Sequence, residues 1–252
     1  MDRDAEGNGR VMAERQKVAH AAFFVVYELS GKYTQNNVGN TTSIRGSVFL
    51  SRKRDCLYLP FCGSLMHNQN GERPMILETE RLRLKPYEQA FADAIYEVVK
   101  HKEIADTMIM IPHPYPRDVV DSWIDYLKHS FENGSAYEFA VFLKEDDRYI
   151  GNCGLVAVSK NHRNAEVGYF IDVAEWGKGY ATEACKRIID YGFKEHQLNR
   201  IYSRCMVRNT ASRKVMEKSG MRYEGRHRQE FLKDDVYEDM DYLAILAEDV
   251  DR

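Results

Sequence analysis

The chain has 252 residues, 44% of them apolar, 12% aromatic and 30% charged, which excludes a collagen-like or disordered polymer and provides for a sizeable core. With 36 Lys+Arg against 39 Asp+Glu the formal net charge is -3, so nucleic acid is not expected as a partner. No run of about 18 apolar residues marks a membrane span, and Asp2, Asp4 and Glu6 stand where a secretory signal would carry positive charge; a cytoplasmic protein without a membrane partner, monomeric or homodimeric, is expected.

Charge and texture change near Pro74 and Met75. Residues 1–74 carry 10 basic and 7 acidic side chains, and 75–252 carry 26 and 32. The first stretch has two apolar patches, Phe23–Val26 and Leu57–Phe61, without periodicity. It is expected to be a loose N-terminal extension or translated sequence upstream of the natural start, and 75–252 to be the folded domain. Arg81–Lys85 alternates polar and apolar residues, which predicts a half-buried strand ended by Pro86. Phe91, Ile95, Val98 and Val99 recur at helical spacing. A second helix is predicted from near Pro116, with Val119, Val120, Trp123, Ile124, Leu127 and Phe131 on one face, closed by Asn133-Gly134. Strands over Ala136–Leu143 and Tyr149–Val158 read as a hairpin around Lys144–Arg148.

Glu166–Val173 reads as another strand, Gly179–Glu195 as a helix, Arg200–Val207 as a strand and Thr210–Lys218 as a short helix stopped by Gly220. Two last strands are predicted over Tyr223–Phe231 and Tyr237–Leu246. Between the Glu166 strand and its helix lies Glu175-Trp176-Gly177-Lys178-Gly179-Tyr180-Ala181-Thr182. Glycines there let the backbone turn and approach a ligand, and the free N–H groups and positive dipole end of the helix form a cradle for a phosphate, joined by Lys178. Two glycines before a helix are also an ordinary tight turn. The five cysteines (Cys56, Cys62, Cys153, Cys185, Cys205) show neither a CxxC pair nor a disulfide pattern, and His162, His196 and His227 lack metal-ligand spacing, so reduced thiols and no metal are expected.

This turn resembles the acyl-CoA-binding signature of the GNAT superfamily of N-acetyltransferases. Glu166-Val167-Gly168-Tyr169-Phe170-Ile171-Asp172 and the stretch from Asn209 to Met221 are similar to its flanking motifs, and with Leu77-Glu78-Thr79-Glu80-Arg81-Leu82-Arg83-Leu84 the set resembles the branch containing the ribosomal-protein N-terminal (alanine/serine) acetyltransferases. The likeness covers about 75–248. It implies an α/β (α+β) fold with a mixed, mostly antiparallel sheet of about seven strands, splayed in the middle and flanked by helices. It also implies acetyl-CoA as acyl donor, its diphosphate on the amides of Gly177, Lys178, Gly179, Tyr180, Ala181 and Thr182, and its pantetheine pairing with backbone freed at the splay. Trp176 replaces the polar first residue of the general signature.

By the same resemblance, Asn209 contacts the cofactor arm, although an Asn here also suits a cap for the helix beginning at Thr210. Ser212 is the candidate for orienting or protonating the thiolate, since Met216 stands where many members have a tyrosine; a plain helix-turn hydroxyl is the alternative. Glu166 is the candidate base, directly or through water, with a solvated carboxylate at a strand start as its alternative. The N–H near Phe170 or Ile171 is the candidate oxyanion donor. Cys205 reads as a buried structural cysteine, with a covalent acetyl-cysteine as the rival. The expected activity is acetyl transfer to a primary amine, foremost a protein N-terminal α-amine, by direct attack in a ternary complex. A polyamine or aminoglycoside acetyltransferase and a non-catalytic acyl-CoA sensor are the rivals.

Overall fold

The computed structural model describes residues 75–250; the extension expected over 1–74 lies outside them. Eight strands form one sheet, in the order β1 (Leu77–Glu78), β2 (Leu82–Lys85), β3 (Tyr137–Leu143), β4 (Tyr149–Ser159), β5 (Asn164–Ile171), β6 (Arg200–Met206), β8 (Val236–Leu246) and β7 (Arg222–Lys233). All neighbours are antiparallel except β5 and β6. Helices α1 (Ala92–Val99), α2 (Lys102–Thr107) and α3 (Val119–Asn133) pack mainly on one face, α4 (Tyr180–Lys194) and α5 (Thr210–Lys218) on the other, and α6 (Ala247–Val250) follows β8.

All seven residues of β3 are buried because helices cover both faces of the sheet there. Phe139, Val141 and Leu143 enter the core beneath α4, while Ala140 and Phe142 enter the one beneath α1 and α3, the alternation that a pleated strand imposes. On α4, Ala184, Cys185, Ile188, Ile189 and Tyr191 form the buried stripe; each large apolar side chain so removed from water contributes about 1.5–3 kcal/mol. Gly192 brings this helix close to the sheet, since a β-carbon there would lie 2.8 Å from Ile201 Cδ1.

The middle of the sheet opens as the resemblance implied. β5 and β6 pair only at Asn164–Arg200, Ala165–Ile201 and Glu166–Tyr202. Beyond Glu166, β5 continues beside β4 alone, and β6 beside β8 alone, leaving a fork between Val167–Ile171 and Ser203–Met206.

Several elements differ from the sequence reading. The eighth strand is the two-residue β1, too short to show alternation. Helix α2 buries only Ile104 and Ala105, so no apolar period announces it. The helix expected near Pro116 begins at Val119, after a turn in which the Val119 N–H bonds to Pro116 O at 3.2 Å. β5 ends at Ile171 because the Asp172 side chain accepts from Ala174 N at 3.1 Å and starts a 3-10 turn. β7 runs on to Lys233, where Asp234 and Asp235, with φ of +49° and +61°, make the two-residue turn into β8.

Candidate active site

Gly177 and Gly179 carry the chain from β5 into α4 with φ of +78° and +87°, values that side chains rarely tolerate. Gly179 is the N-cap, and Glu183 is the first donor within the helix, to Gly179 O at 3.1 Å. The N–H groups of Tyr180, Ala181 and Thr182 therefore have no acceptor within the helix, and they sit at its positive end. These three residues, with Gly177 and Gly179, line a cavity of about 630 Å³. Lys178 does not line it. Its Nζ donates to Glu175 Oε2 at 2.9 Å, and Glu175, only 5% exposed, also accepts from Arg148 Nη2 at 2.8 Å. The ammonium expected at the phosphate is thus paired with Glu175 on a half-exposed side chain, alongside the Lys178 backbone N–H in the turn.

Residues that the sequence reading passed over brace this turn. Glu183 accepts from Thr79 Oγ1 at 2.6 Å, Arg81 N at 2.9 Å and Arg81 Nε at 2.7 Å. Burial pushes its carboxyl up, but these hydrogen bonds outweigh it and hold the group below the usual range. Arg81 Nη1 also donates to Lys178 O at 3.1 Å, and its guanidinium lies 4.5 Å from the centre of the Tyr180 ring. Trp176 Nε1 donates to Ile171 O at 2.6 Å, tying the turn to the end of β5. The signal was present: Thr79 and Arg81 belong to the opening stretch of the family likeness and Glu183 to the turn, but nothing in the sequence joins positions a hundred residues apart.

Strand parity settles which amides face the fork. The Asp172 N–H bonds to Ile150 O at 2.7 Å, and Asp172 falls in the same register as the pairs Phe170–Asn152 and Gly168–Gly154. Antiparallel pairs exchange bonds at alternate residues, so Phe170 and Gly168 turn their N–H groups to β4, while Ile171, Tyr169 and Val167 turn theirs to the fork. Of the two amides expected near the thioester, that of Ile171 faces the fork and that of Phe170 faces β4. Ser203 Oγ donates to Val167 O at 2.8 Å at the base of the fork. Near its mouth, Tyr169 Oη donates to Ser212 O at 3.0 Å and lies 2.9 Å from Ser212 Oγ. Burial pushes this phenol well above its usual range. Met216 is fully buried and does not line the cavity, whereas Ser212 does; the phenol at this serine comes instead from β5.

Asn209 does cap α5, its Oδ1 accepting from Ser212 N at 3.0 Å, while Nδ2 donates to Thr107 O of α2 at 3.3 Å. It lines the cavity with both amide atoms engaged. Cys205 is buried, and burial pushes its thiol up to about 11, which leaves little thiolate for a covalent role.

Two carboxylates of different character, Glu166 and Glu138, also line the cavity. Glu166 is ion-paired, its Oε1 3.1 Å from Arg204 Nε; burial raises its pKa and Arg204 opposes the rise. Glu138 of β3 is 8% exposed, and Asn152 Nδ2 donates to its Oε2 at 2.8 Å. Among the described residues no lysine, arginine or histidine forms an ion pair with it. Burial lifts its carboxyl to about 7, against the pull of the Asn152 bond. Tyr87 Oη donates to Asn152 Oδ1 at 2.8 Å, fixing the amide that holds it.

The family model described as "Acetyltransferase (GNAT) domain" matches residues 81–222. The chain belongs to the GNAT acetyltransferases. It is 34% identical over 149 residues to the uncharacterized N-acetyltransferase p20 of Bacillus licheniformis, covering 59% of this chain and 83% of that one. It is 27% identical over 113 residues to the ribosomal-protein-serine acetyltransferase of Escherichia coli (strain K12), covering 45% and 62%. Among solved structures, spermidine N-acetyltransferase from Vibrio cholerae in complex with CoA and spermine superposes with a TM-score of 0.61 at 24% identity, covering 69% of this chain and all of that one.

The protein is thus an N-acetyltransferase with acetyl-CoA as acyl donor. Its residues fit that donor: the positive-φ turn leaves amides at the cavity edge, and a β-carbon on Gly179 would meet only Arg81 Nη2, at 3.5 Å. Acetyl-CoA supplies the activated carbonyl. Around the cavity this chain places the amides at the start of α4, the Ile171 N–H and the Ser212 hydroxyl near the fork, and the carboxylates Glu138 and Glu166. Among the described residues no helix is long and apolar enough to cross a membrane.

Proposed function

We propose that the protein transfers the acetyl group to the α-amine of a protein N-terminus, by direct attack within a ternary complex. The observation that carries this reading is one continuous cavity reaching from the amides of Gly177–Thr182, past the fork, to the carboxylates Glu138 and Glu166. Donor and acceptor fit there together, and Cys205, with its raised thiol, gives no support to an acetyl-enzyme. The ribosomal-protein-serine acetyltransferase among the relatives supports a protein as acceptor. A peptide α-amine, with a pKa of about 8, is a good nucleophile once its proton is removed, and positioning then supplies much of the acceleration.

In this reading the Ile171 N–H faces the thioester oxygen and Ser212 orients and protonates the departing thiolate. Tyr169 uses its proton on the Ser212 carbonyl, which leaves the serine proton free to turn toward the cavity. Glu166 borders the acceptor site at the fork's base, oriented by Arg204. Asn209 contacts the cofactor arm through the helix start it caps.

The test is incubation of the full chain with acetyl-CoA and a panel comprising peptides with free N-terminal serine or alanine, the same peptides Nα-blocked but with a lysine, spermidine and an aminoglycoside, followed by mass analysis. Acetylation of the free N-terminal peptides over the blocked ones is expected. Preference for spermidine or the aminoglycoside would overturn the acceptor assignment, and CoA binding without turnover of any acceptor would overturn catalysis.

A further inference from the structure

Glu138 pairs across the sheet with Gly154 of β4, and Gly154 pairs with Gly168 of β5 at the fork. Paired residues point to the same face of a sheet, so the only side chain in this row of three is the glutamate. Glu138 lies over the first glycine: a β-carbon on Gly154 would come within 2.8 Å of Glu138 Cγ. A β-carbon on Gly168 would meet nothing within 4 Å. The two glycines clear a path from the carboxylate to the strand whose amides face the thioester.

The surroundings of Glu138 differ from those of Glu166. Asn152, itself held by Tyr87, orients one carboxylate oxygen. Among the described residues, the titratable groups around Glu138 are Tyr87 from the segment after β2, Tyr126 of α3 and Tyr149 of β4, with Cys153 of β4 close by on the opposite face of the sheet; burial raises the pKa of each. All are therefore neutral near pH 7, and among the described residues no cation satisfies the carboxylate. Glu166 has Arg204 for that purpose. An ammonium arriving in the cavity finds in Glu138 an unpaired buried carboxylate, where Coulomb attraction is strong and water is scarce.

Resting on the acetyl-transfer reading above, we propose that Glu138 is the catalytic base, taking the proton from the acceptor ammonium, while Glu166 positions the acceptor. In the step, one N–H bond of the ammonium breaks and its proton passes to a Glu138 oxygen. The freed nitrogen pair forms the C–N bond to the thioester carbon, and the C–S bond breaks. The second proton lost by the nitrogen goes to the sulfur by way of Ser212, giving amide and free thiol. Glu138 then returns its proton to water.

The test compares the wild type, Glu138→Gln and Glu166→Gln, using the pH profile of kcat/KM with the best acceptor of the panel and CoA affinity by calorimetry. The wild type is expected to gain activity as pH rises through about 7, where burial places the Glu138 carboxyl. Glu138→Gln is expected to lose roughly 100-fold in kcat/KM, to keep only the acceptor amine's own limb near about 8, and to bind CoA as the wild type does. Glu166→Gln is expected to raise KM and keep the limb near 7. A fully active Glu138→Gln with the wild-type profile, or a limb near 7 lost in Glu166→Gln and kept in Glu138→Gln, overturns the proposal while leaving acetyl transfer intact. A wild type that acetylates no acceptor overturns the functional reading and this proposal with it.

The glutamine variant is expected to fold. A carboxyl whose folded pKa is raised contributes stability below its unfolded pKa and loses it as pH rises toward the folded value. Glu138→Gln is therefore expected to melt at a higher temperature than the wild type at pH 8 and at about the same temperature at pH 4; a lower melting temperature at pH 8 would show that the buried carboxylate is a structural support and overturn its role as an uncompensated base.

Discussion

The two ends of the cavity are built by opposite means. At the cofactor end, two positive-φ glycines and a helix start present backbone amides, and side chains such as Thr79, Arg81 and Glu183 stand behind them as braces. At the proposed acceptor end the backbone is held in sheet ladders, and buried side chains, Glu138 and Asn152 above all, are the groups proposed to carry the chemistry. Backbone recognition suits a donor that is the same in every turnover; side chains suit an acceptor that differs from one family member to the next. The expected signature is a clean split: changes at the turn move CoA affinity and spare the pH profile, and changes near Glu138 do the reverse.

The largest effect expected on that split is at Gly179→Glu. The new side chain brings strain at a φ of +87° and a negative charge where the diphosphate would lie, so CoA affinity by calorimetry should fall by more than about 100-fold, some 3 kcal/mol, with the fold retained by circular dichroism. Undiminished affinity would remove the cradle from the cofactor end. Next comes Asp241→Asn on β8, the strand beside the β6 arm of the fork. Asp241 is 1% exposed and accepts from Arg226 Nε at 2.8 Å and Arg213 Nη1 at 2.7 Å, joining β8 to β7 and α5. Denaturant unfolding at pH 7 should show a loss of about 2 kcal/mol. The Arg226 hydrogen bond, opposed by burial and joined by Arg213, holds the Asp241 carboxyl below 3.8. Its contribution is therefore full above the unfolded value and disappears as pH falls through the depressed one, so the two proteins should converge in stability in strong acid. Smaller again is Ser212→Ala, expected to lower kcat about tenfold with unchanged CoA affinity; equal loss in both would mean that Ser212 serves only to hold Tyr169.

The same contrast explains what the sequence disclosed. Glycines before an apolar-periodic helix reveal a backbone site locally, so the turn, α4 and the order of strands around it were legible. The fork was not derivable from composition or period. It came from the family likeness, and the pairing of β5 with β6 over only three positions bears it out. Glu138 left no mark, because Tyr137–Leu143 reads as an apolar run with one acid in it. Its importance depends on Gly154 and Gly168 standing beside it, partners that register alone brings together. Lys178 shows the opposite limit: its position in the turn was legible, but the pairing of its ammonium with Glu175, buried three residues earlier, was not.

Arg81 offers the finest test of a brace. Its guanidinium spans Glu183 and the Lys178 carbonyl and covers the Tyr180 ring, yet the side chain is 43% exposed, and exposed ion pairs contribute about 0–1 kcal/mol. If the arginine merely decorated the surface, Arg81→Ala would leave CoA affinity unchanged. As a brace, however, Arg81 is the side-chain donor to the Lys178 carbonyl among the described residues, and its loss frees that carbonyl to rotate with its peptide, turning the adjoining Gly179 N–H away from the cavity. A loss of CoA affinity of about threefold, the equivalent of some 0.6 kcal/mol, is expected, with kcat at saturating donor and the pH profile unchanged. Arg81→Lys should recover little, because an ammonium cannot reach the carboxylate and the carbonyl with the planar fork that does so here. A fall in kcat instead would mean that the strain passes along the turn to Trp176 and Ile171, and the two ends would no longer be separable.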